Sequence, residues 1–332
     1  MTLVRERRRQ QALKLSLPPQ ILAADLWQPA KLPALSFAIQ PESPDVESFS
    51  KLEKLAVLGH GNEATIYKVW HCQTASIYAL KVLRVDQHTT DVWQQAGQEA
   101  EILKRVDSPL IVKCHAVLNS GCIDSDNAGE LYFLMEYMEG GSLQDILCIH
   151  RKLPEEAISR VARRVLEGLC YLHSMKIVHR DIKPSNLLIN SKGELKIADF
   201  GVSQVVASTC DPHVSYLGTC AYMSPERFDP ERWDGEKEGG FAGDVWSLGI
   251  VLLECHVGHF PLISPGETPD WATLMCAICF SDRLEIPETA SPEFKSFVSR
   301  CLEKDWRARG TVDELLRHPF VNKSSGTKGW FG

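Results

Sequence analysis

A two-lobed α+β protein, a small antiparallel sheet followed by a larger helical body, is predicted by three features of this 332-residue sequence. Short apolar runs separated by turn residues begin at Leu55 and read as strands. Beyond Gly140-Gly141 the apolar residues recur instead at helical spacing over longer stretches. Between these halves Glu136–Met138 is too short for an element of its own and reads as a connector.

Each element follows in order. Residues 1–50 carry Pro18, Pro19, Pro29, Pro33, Pro41 and Pro44 without sustained periodicity, the composition of a mostly disordered tail. The runs LAVLGHG, TIYKVWHC, IYALKVL and LYFLMEYM are the expected strands. A helix over Val92–Arg105, rich in Gln, Glu, Ala and Leu, falls between the third and the last. Further helices are expected over Ser142–Cys148, Pro154–His173, Val245–Val257, Trp271–Phe280, Pro292–Leu302 and Val312–Leu316. The division is a tail over 1–50, a small lobe over 51–138 and a large lobe over 139–320. Residues 321–332, with Lys, Ser and Gly, read as a frayed end with no appended domain.

Composition narrows the class. At 44% hydrophobic and 24% charged residues the chain has the make-up of a globular protein with ample core. A net charge of −7 argues against nucleic acid as the main partner, because phosphate binding favours a basic surface. The longest purely apolar run, Leu248–Leu253, is far short of a membrane span. The basic N-terminus lacks the apolar region of a secretory signal. Eleven scattered cysteines, an odd number, suit a reducing compartment, so a cytoplasmic or nuclear location is expected. Cys276 and Cys279 form a lone C-x-x-C within an apolar helical stretch and read as buried helix residues.

The chemistry is concentrated in residues 179–201, HRDIKPSNLLINSKGELKIADFG. Asp181 lies on a short loop where it can accept the proton of an incoming hydroxyl. Lys183 can offset charge on a phosphoryl group in transfer. Asn186 and Asp199 supply an amide oxygen and a carboxylate, hard ligands suited to Mg²⁺ held against a triphosphate. Together they read as a metal-assisted phosphotransferase acting on an oxygen nucleophile.

The segment also resembles the catalytic and DFG loops of protein kinases. That resemblance implies ATP and Mg²⁺ as cofactors and assigns further residues. Gly59-His60-Gly61, a weak signal alone, becomes a phosphate-covering turn once Lys81, in Tyr78-Ala79-Leu80-Lys81, follows as the lysine of a third strand. Lys81 is expected to contact the α- and β-phosphates and to pair with Glu99, with Glu101 as the competing carboxylate. Leu58, Asn62, Ile66, Ala79, Met135, Glu136, Met138 and Leu188 are expected to complete the nucleotide site. Asp244 matches the aspartate that braces the catalytic loop, and Glu226 and Arg309 match a buried ion pair. One departure stands out: the third glycine of G-x-G-x-x-G is Ala64, which disfavours φ > 0 and is expected to stiffen the loop tip.

Residues 218–226, GTCAYMSPE, resemble more narrowly the peptide-binding segment of mitogen-activated protein kinase kinases, and GTCAYMSPER is most like plant members. MEYM at 135–138, GGSL at 140–143 and PDWATLMCA at 269–277 extend the likeness, the last to the plant group D branch. The resemblance runs from Leu55 to Phe320. It implies dual-specificity phosphorylation of the Thr-x-Tyr loop of a mitogen-activated protein kinase, with Thr219 bonded to Asp181 and Lys183. Thr209 and Ser215, six positions apart, reproduce the family's phosphoacceptor spacing for an upstream kinase. Ser203, Ser208 and Tyr216 are further hydroxyls nearby. Arg180 is expected to carry an unpaired cation that receives the phosphate.

In the tail, Arg7-Arg8-Arg9 followed by Leu13-Lys14-Leu15 resembles a docking motif for the substrate kinase, cations meeting acids and leucines filling apolar slots. A nuclear-import signal and an organelle presequence also fit these arginines. The roughly 40 residues beyond the leucines span on the order of 35 Å as a flexible chain, enough to hold a partner near the active site. A kinase-fold scaffold with weak catalysis, and a serine/threonine kinase with other substrates, are the alternatives; Ala64 alone favours the former.

Overall fold

The computed structural model describes residues 51–60, 64–85, 90–119, 129–200, 204–205, 220–233, 239–263, 270–281 and 285–322, with 84, 85, 90–95, 119, 129, 204 and 205 described by backbone alone. Five antiparallel strands form the first sheet: β1 (Leu52–His60), β2 (Ala64–His71), β3 (Ser76–Val85), β4 (Cys114–Asn119) and β5 (Gly129–Glu136). Their order is β1–β2–β3–β5–β4. The sequence pattern does not mark β4, because CHAVLN is short and half polar. It forms by pairing with β5, which sets Ala116 opposite Leu134 and Leu118 opposite Tyr132. Helix α1 (Thr90–Arg105) stands where a helix was expected and contributes the buried Ala96, Ala100, Ile102 and Leu103 to the core.

The helical lobe is built on α3 (Glu155–Ser174), which follows α2 (Leu143–His150). Ile158, Val161, Ala162, Val165, Leu166, Leu169 and Leu172 recur three and four residues apart, and all are fully buried. Short strands β6 (Ile177–Val178), β7 (Leu187–Ile189), β8 (Leu195–Ile197) and β9 (Gln204–Val205) follow. The β7–β8 hairpin lies hard against α3: a Cβ at Gly168 would stand 2.7 Å from Ile197 Cδ1, so glycine permits the approach. The hairpin is tied to the other lobe through Ile197 N–H to Leu110 O and Val112 N–H to Ile197 O, both 2.9 Å.

The remaining helices are α4 (Pro225–Phe228), α5 (Pro230–Trp233), α6 (Gly240–Val257), α7 (Trp271–Met275), α8 (Pro292–Cys301), α9 (Val312–Leu316) and α10 (Pro319–Asn322). The short helices α4, α5 and α10 escape a periodicity reading because four residues make barely one turn. Helix α6 is 18 residues long and, by length and composition, apolar enough to cross a membrane, beyond the six-residue run seen in the sequence. Its residues Asp244 to Cys255 are all buried within this lobe. The expected helix over Trp271–Phe280 changes at Cys276 into a π-helical turn, Cys276–Phe280. That turn corrects the C-x-x-C reading: Cys279 is buried, whereas Cys276 is exposed. The nine cysteines described are free thiols.

Candidate active site

Local chain geometry presents the candidate catalytic residues. After β6 the loop enters a bend in which Arg180 has φ of 68° and Asp199, after β8, has φ of 64°. Such left-handed backbone costs energy for residues with a Cβ and persists where surrounding contacts impose it. Here the contacts converge on Asp244, at the start of α6. Its carboxylate accepts the N–H of His179 at 2.9 Å and of Arg180 at 2.7 Å, and bonds His173 Nε2 at 2.9 Å. Burial alone would raise Asp244, yet the His173 hydrogen bond and the neighbouring histidines outweigh it and hold this carboxyl below the ordinary range. His179 bonds the carbonyl of Ala198 at 3.1 Å, joining the loop to the segment that carries Asp199. Asp244 therefore occupies the bracing position expected of it. His173 was not legible, since an amphipathic helix offers several histidine-compatible positions.

Asp181, Lys183 and Asn186 come together. Lys183 Nζ lies 2.7 Å from Asp181 Oδ2. Asn186 Nδ2 donates to the same oxygen at 2.8 Å and to the Asp181 carbonyl at 2.9 Å. With its amide hydrogens so engaged, Asn186 keeps its carbonyl oxygen as a ligand. Burial raises Asp181 above the ordinary aspartate value, against the opposing pull of Lys183.

Lys81 bridges the lobes, 2.7 Å from Glu99 Oε1 and 2.8 Å from Asp199 Oδ1. Burial works against its charge, but Asp199 and Glu99 outweigh it and hold Lys81 above the ordinary lysine value. Glu99 is raised, chiefly by burial. The choice between carboxylates is resolved by exposure. The Glu99 side chain is 4% exposed and faces Lys81. That of Glu101 is 72% exposed and meets Lys104 instead.

The expected adenine contacts gather beside this centre. Met138 is buried with Val112 and Ala198, and Met135 and Leu188 pack on that cluster. Ala79 is paired with Met135 across β3 and β5. Leu58 and Ile66 are 46% and 37% exposed, an apolar pair that the protein's own packing leaves uncovered. A Cβ built at Gly59 meets nothing within 4 Å, so that glycine serves open space rather than internal packing. His60 Nδ1 and Thr65 Oγ1 are 3.3 Å apart near the turn. Ala64 begins β2 as strand and needs no positive φ, so replacement of a glycine carries no backbone cost there. That removes the stiffening argument. These residues fit a purine nucleotide, and the Asn186 and Asp199 oxygens fit a hard cation that takes its other ligands from phosphates and water. Among the described residues no group of three or more His, Cys, Asp or Glu could hold a metal by itself.

Other expectations lie outside the described residues: Gly61, Asn62, Thr209, Ser215, Thr219 and the docking residues Arg7, Arg8, Arg9, Leu13 and Leu15. The structural pair was correctly placed, with Arg309 and Glu226 bonded at 2.7 and 2.9 Å. Arg180 forms no ion pair among the described residues.

One contact was missed. Glu136, in the connector, receives Lys196 Nζ at 2.6 and 2.8 Å and the backbone N–H of Lys113 at 3.2 Å. Its own N–H bonds Lys113 O at 2.8 Å. This clamp holds the backbone of the connector, where the adenine contact is expected. Lys196→Met is expected to raise KM for ATP about fivefold, the equivalent of a part-buried pair worth about 1 kcal/mol, with kcat unchanged. Steady-state kinetics at varied ATP would check it, and an unchanged KM would remove the role.

Residues 52–321 match the family model described as protein kinase domain. The chain is 52% identical over 321 residues to mitogen-activated protein kinase kinase 10 of Arabidopsis thaliana, covering 97% of this chain and 99% of that protein. It is 47% identical over 323 residues to mitogen-activated protein kinase kinase 9 and 46% identical over 326 residues to mitogen-activated protein kinase kinase 7 of the same plant, each at 97% or more of both chains.

Proposed function

This chain belongs to the protein kinase family and, within it, to the mitogen-activated protein kinase kinases, and we propose that it phosphorylates both the threonine and the tyrosine of the Thr-x-Tyr loop of a mitogen-activated protein kinase. In the same reading an upstream kinase switches it on at Thr209 and Ser215, and the basic tail grips the substrate. The observation that carries the chemistry is the joint arrangement of Asp181, Lys183 and Asn186, with Lys81 between Glu99 and Asp199.

The γ-phosphoryl group leaves the β-phosphate oxygen of ATP for the substrate hydroxyl, and ADP is released. Asp181 accepts the hydroxyl proton. Lys183, already paired with Asp181, offsets charge at the transferring group. Lys81 holds the α- and β-phosphates, steadied by Glu99. Asn186 and Asp199 would hold Mg²⁺, which when bound neutralises phosphate charge. Leu58, Ile66, Ala79, Met138 and Leu188 enclose the base, and the backbone of Glu136–Met138 meets its edge.

The test uses purified full chain, ATP and Mg²⁺ with a kinase-dead mitogen-activated protein kinase, mapping phosphate on the substrate loop. Thr209→Asp/Ser215→Asp is the activated form, Asp181→Asn the blank, and a form lacking residues 1–17 probes docking. Phosphate on both threonine and tyrosine, strongest in the activated form and slower without the tail, is the expected result. Single-residue phosphorylation would overturn dual specificity. Equal rates from the doubly substituted and parent proteins would overturn the switch, and equal rates with and without the tail would overturn docking.

A further inference from the structure

Residues 224–230 and the start of α6 enclose a cavity of about 60 Å³, lined by Arg180, Ser224, Arg227, Gly239, Gly240 and Gly243, among others. On the same measure one water needs roughly 10–15 Å³, so the space suits a group of about five heavy atoms. The acceptors on its wall are already engaged. Asp244 holds His173 and the backbone N–H groups of 179 and 180. Glu226 spends both oxygens on Arg309. Ser247 turns its hydroxyl to the carbonyls of Tyr222 and Gly243.

Donors remain. Ser224 is 1% exposed, and its hydroxyl has no hydrogen-bond partner. A buried hydroxyl left unpaired is costly, so the cavity calls for an acceptor. A Cβ at Gly243 would stand 3.2 Å from Ser224 Oγ, so glycine keeps the space beside that hydroxyl open. Arg227 donates from Nη1 to the Arg180 carbonyl, its one hydrogen bond among the described residues, and makes no ion pair there. Burial pulls its guanidinium below the ordinary arginine value despite the carboxylates nearby. The 18-residue α6 begins at a glycine N-cap that offers no side chain to its first amides. Those amides and the helix dipole favour an anion at this end.

We propose that Ser224, Arg227 and the first amides of α6 bind a free tetrahedral oxyanion, of the size and charge of inorganic phosphate or sulfate, as a structural ligand of the large lobe. Such an ion brings acceptors alone, which is what this wall lacks, whereas water brings donors as well. Its four oxygens can meet a hydroxyl, a guanidinium and helix amides together; a planar carboxylate has two. Arg180 adds positive charge to the wall and is not needed as a ligand. The ion cross-links α4, which carries Arg227, to the start of α6. Arg227 also holds the Arg180 carbonyl, one residue before Asp181, so occupancy steadies the catalytic loop. The site shares no residue with the nucleotide contacts and requires no covalent change to the chain.

The test titrates inorganic phosphate into the full chain by calorimetry at fixed ionic strength. The proteins compared are the parent, Ser224→Ala, Gly243→Ala, Arg227→Gln and Lys81→Met. One saturable site is expected in the parent and in Lys81→Met. Arg227→Gln should abolish it, and Ser224→Ala should weaken it about tenfold, as loss of a hydrogen bond to a charged group does. Gly243→Ala sets a methyl against Ser224 Oγ and should weaken binding too, while alanine favours the helix. These two variants keep the test decisive if Arg227→Gln fails to fold. In thermal scans phosphate should raise the Tm of the parent, and raise that of Ser224→Ala less, as a ligand of the folded state does. An equal rise in every protein would be a general salt effect and overturn the proposal. Absence of saturable binding in the parent would leave the cavity to water and overturn it as well. Binding lost in Lys81→Met yet unchanged in Ser224→Ala would assign the anion to the nucleotide site. Saturable binding of acetate with phosphate silent would make this a carboxylate site and overturn the tetrahedral assignment.

Discussion

Asp181→Asn is expected to lower kcat by about 10²–10⁴, the range for loss of a positioned general base, with ATP affinity unchanged. Asparagine preserves the shape and the backbone carbonyl to which Asn186 Nδ2 donates at 2.9 Å, so the loop keeps its anchor. It cannot take up the hydroxyl proton, and Lys183 loses the carboxylate now 2.7 Å away. Single-turnover rates at saturating ATP, with nucleotide affinity from calorimetry, would check this. A loss of less than tenfold would assign the proton elsewhere. The same geometry sets a pH dependence. Activity requires the ionised carboxylate, and burial raises Asp181 above the ordinary range while Lys183 holds it back. The acid limb of kcat/KM should therefore lie above about 3.9, the unperturbed aspartate value. Activity falls as pH drops through that limb. Lys183→Met, by removing the opposing cation, should move the limb to higher pH as well as lower kcat.

The largest stability effect is expected at Arg309. Its side chain is fully buried and paired with Glu226, itself 2% exposed. It also donates to the carbonyls of Ala242 and Glu303 and lies over Trp246. Arg309→Met would leave the Glu226 carboxylate buried without its cation, which costs about 3–5 kcal/mol. For a domain of this size that is a fall in Tm on the order of 10 °C. Substituting both partners with methionine removes the stranded charge as well, so the double variant should be less destabilised than Arg309→Met alone. Calorimetric scans of the three proteins decide it. A Tm within about 2 °C of the parent in Arg309→Met would show that Glu226 finds another partner.

What could be read without coordinates was what the chain keeps close together. Asp181, Lys183 and Asn186 lie within six residues, so one loop carries their relationship. The strands around Lys81 and the helix around Val161 declare themselves by period. Strand β4 did not, because its stability lies in pairing with β5 rather than in its own residues. The turn at Cys276 escaped for a related reason. Helical spacing persists through Trp271–Phe280, while the backbone shifts to π geometry and turns Cys276 outward.

Local sequence thus determined the chemistry: which residues donate, accept and carry charge, and on what kind of element. Tertiary structure decided which of them meet. Glu99 and Glu101 are two residues apart on one helix, hence about 200° apart around its axis. Helix packing against the sheet turned Glu99 toward Lys81 and left Glu101 to solvent. Lys196 and Glu136, sixty positions apart, become one clamp when the β7–β8 hairpin folds under the connector. Arg180 and Arg227 come to share a cavity for the same reason. Coulomb and hydrogen-bond energies depend on separation through space, and separation along the chain does not report it beyond a few residues.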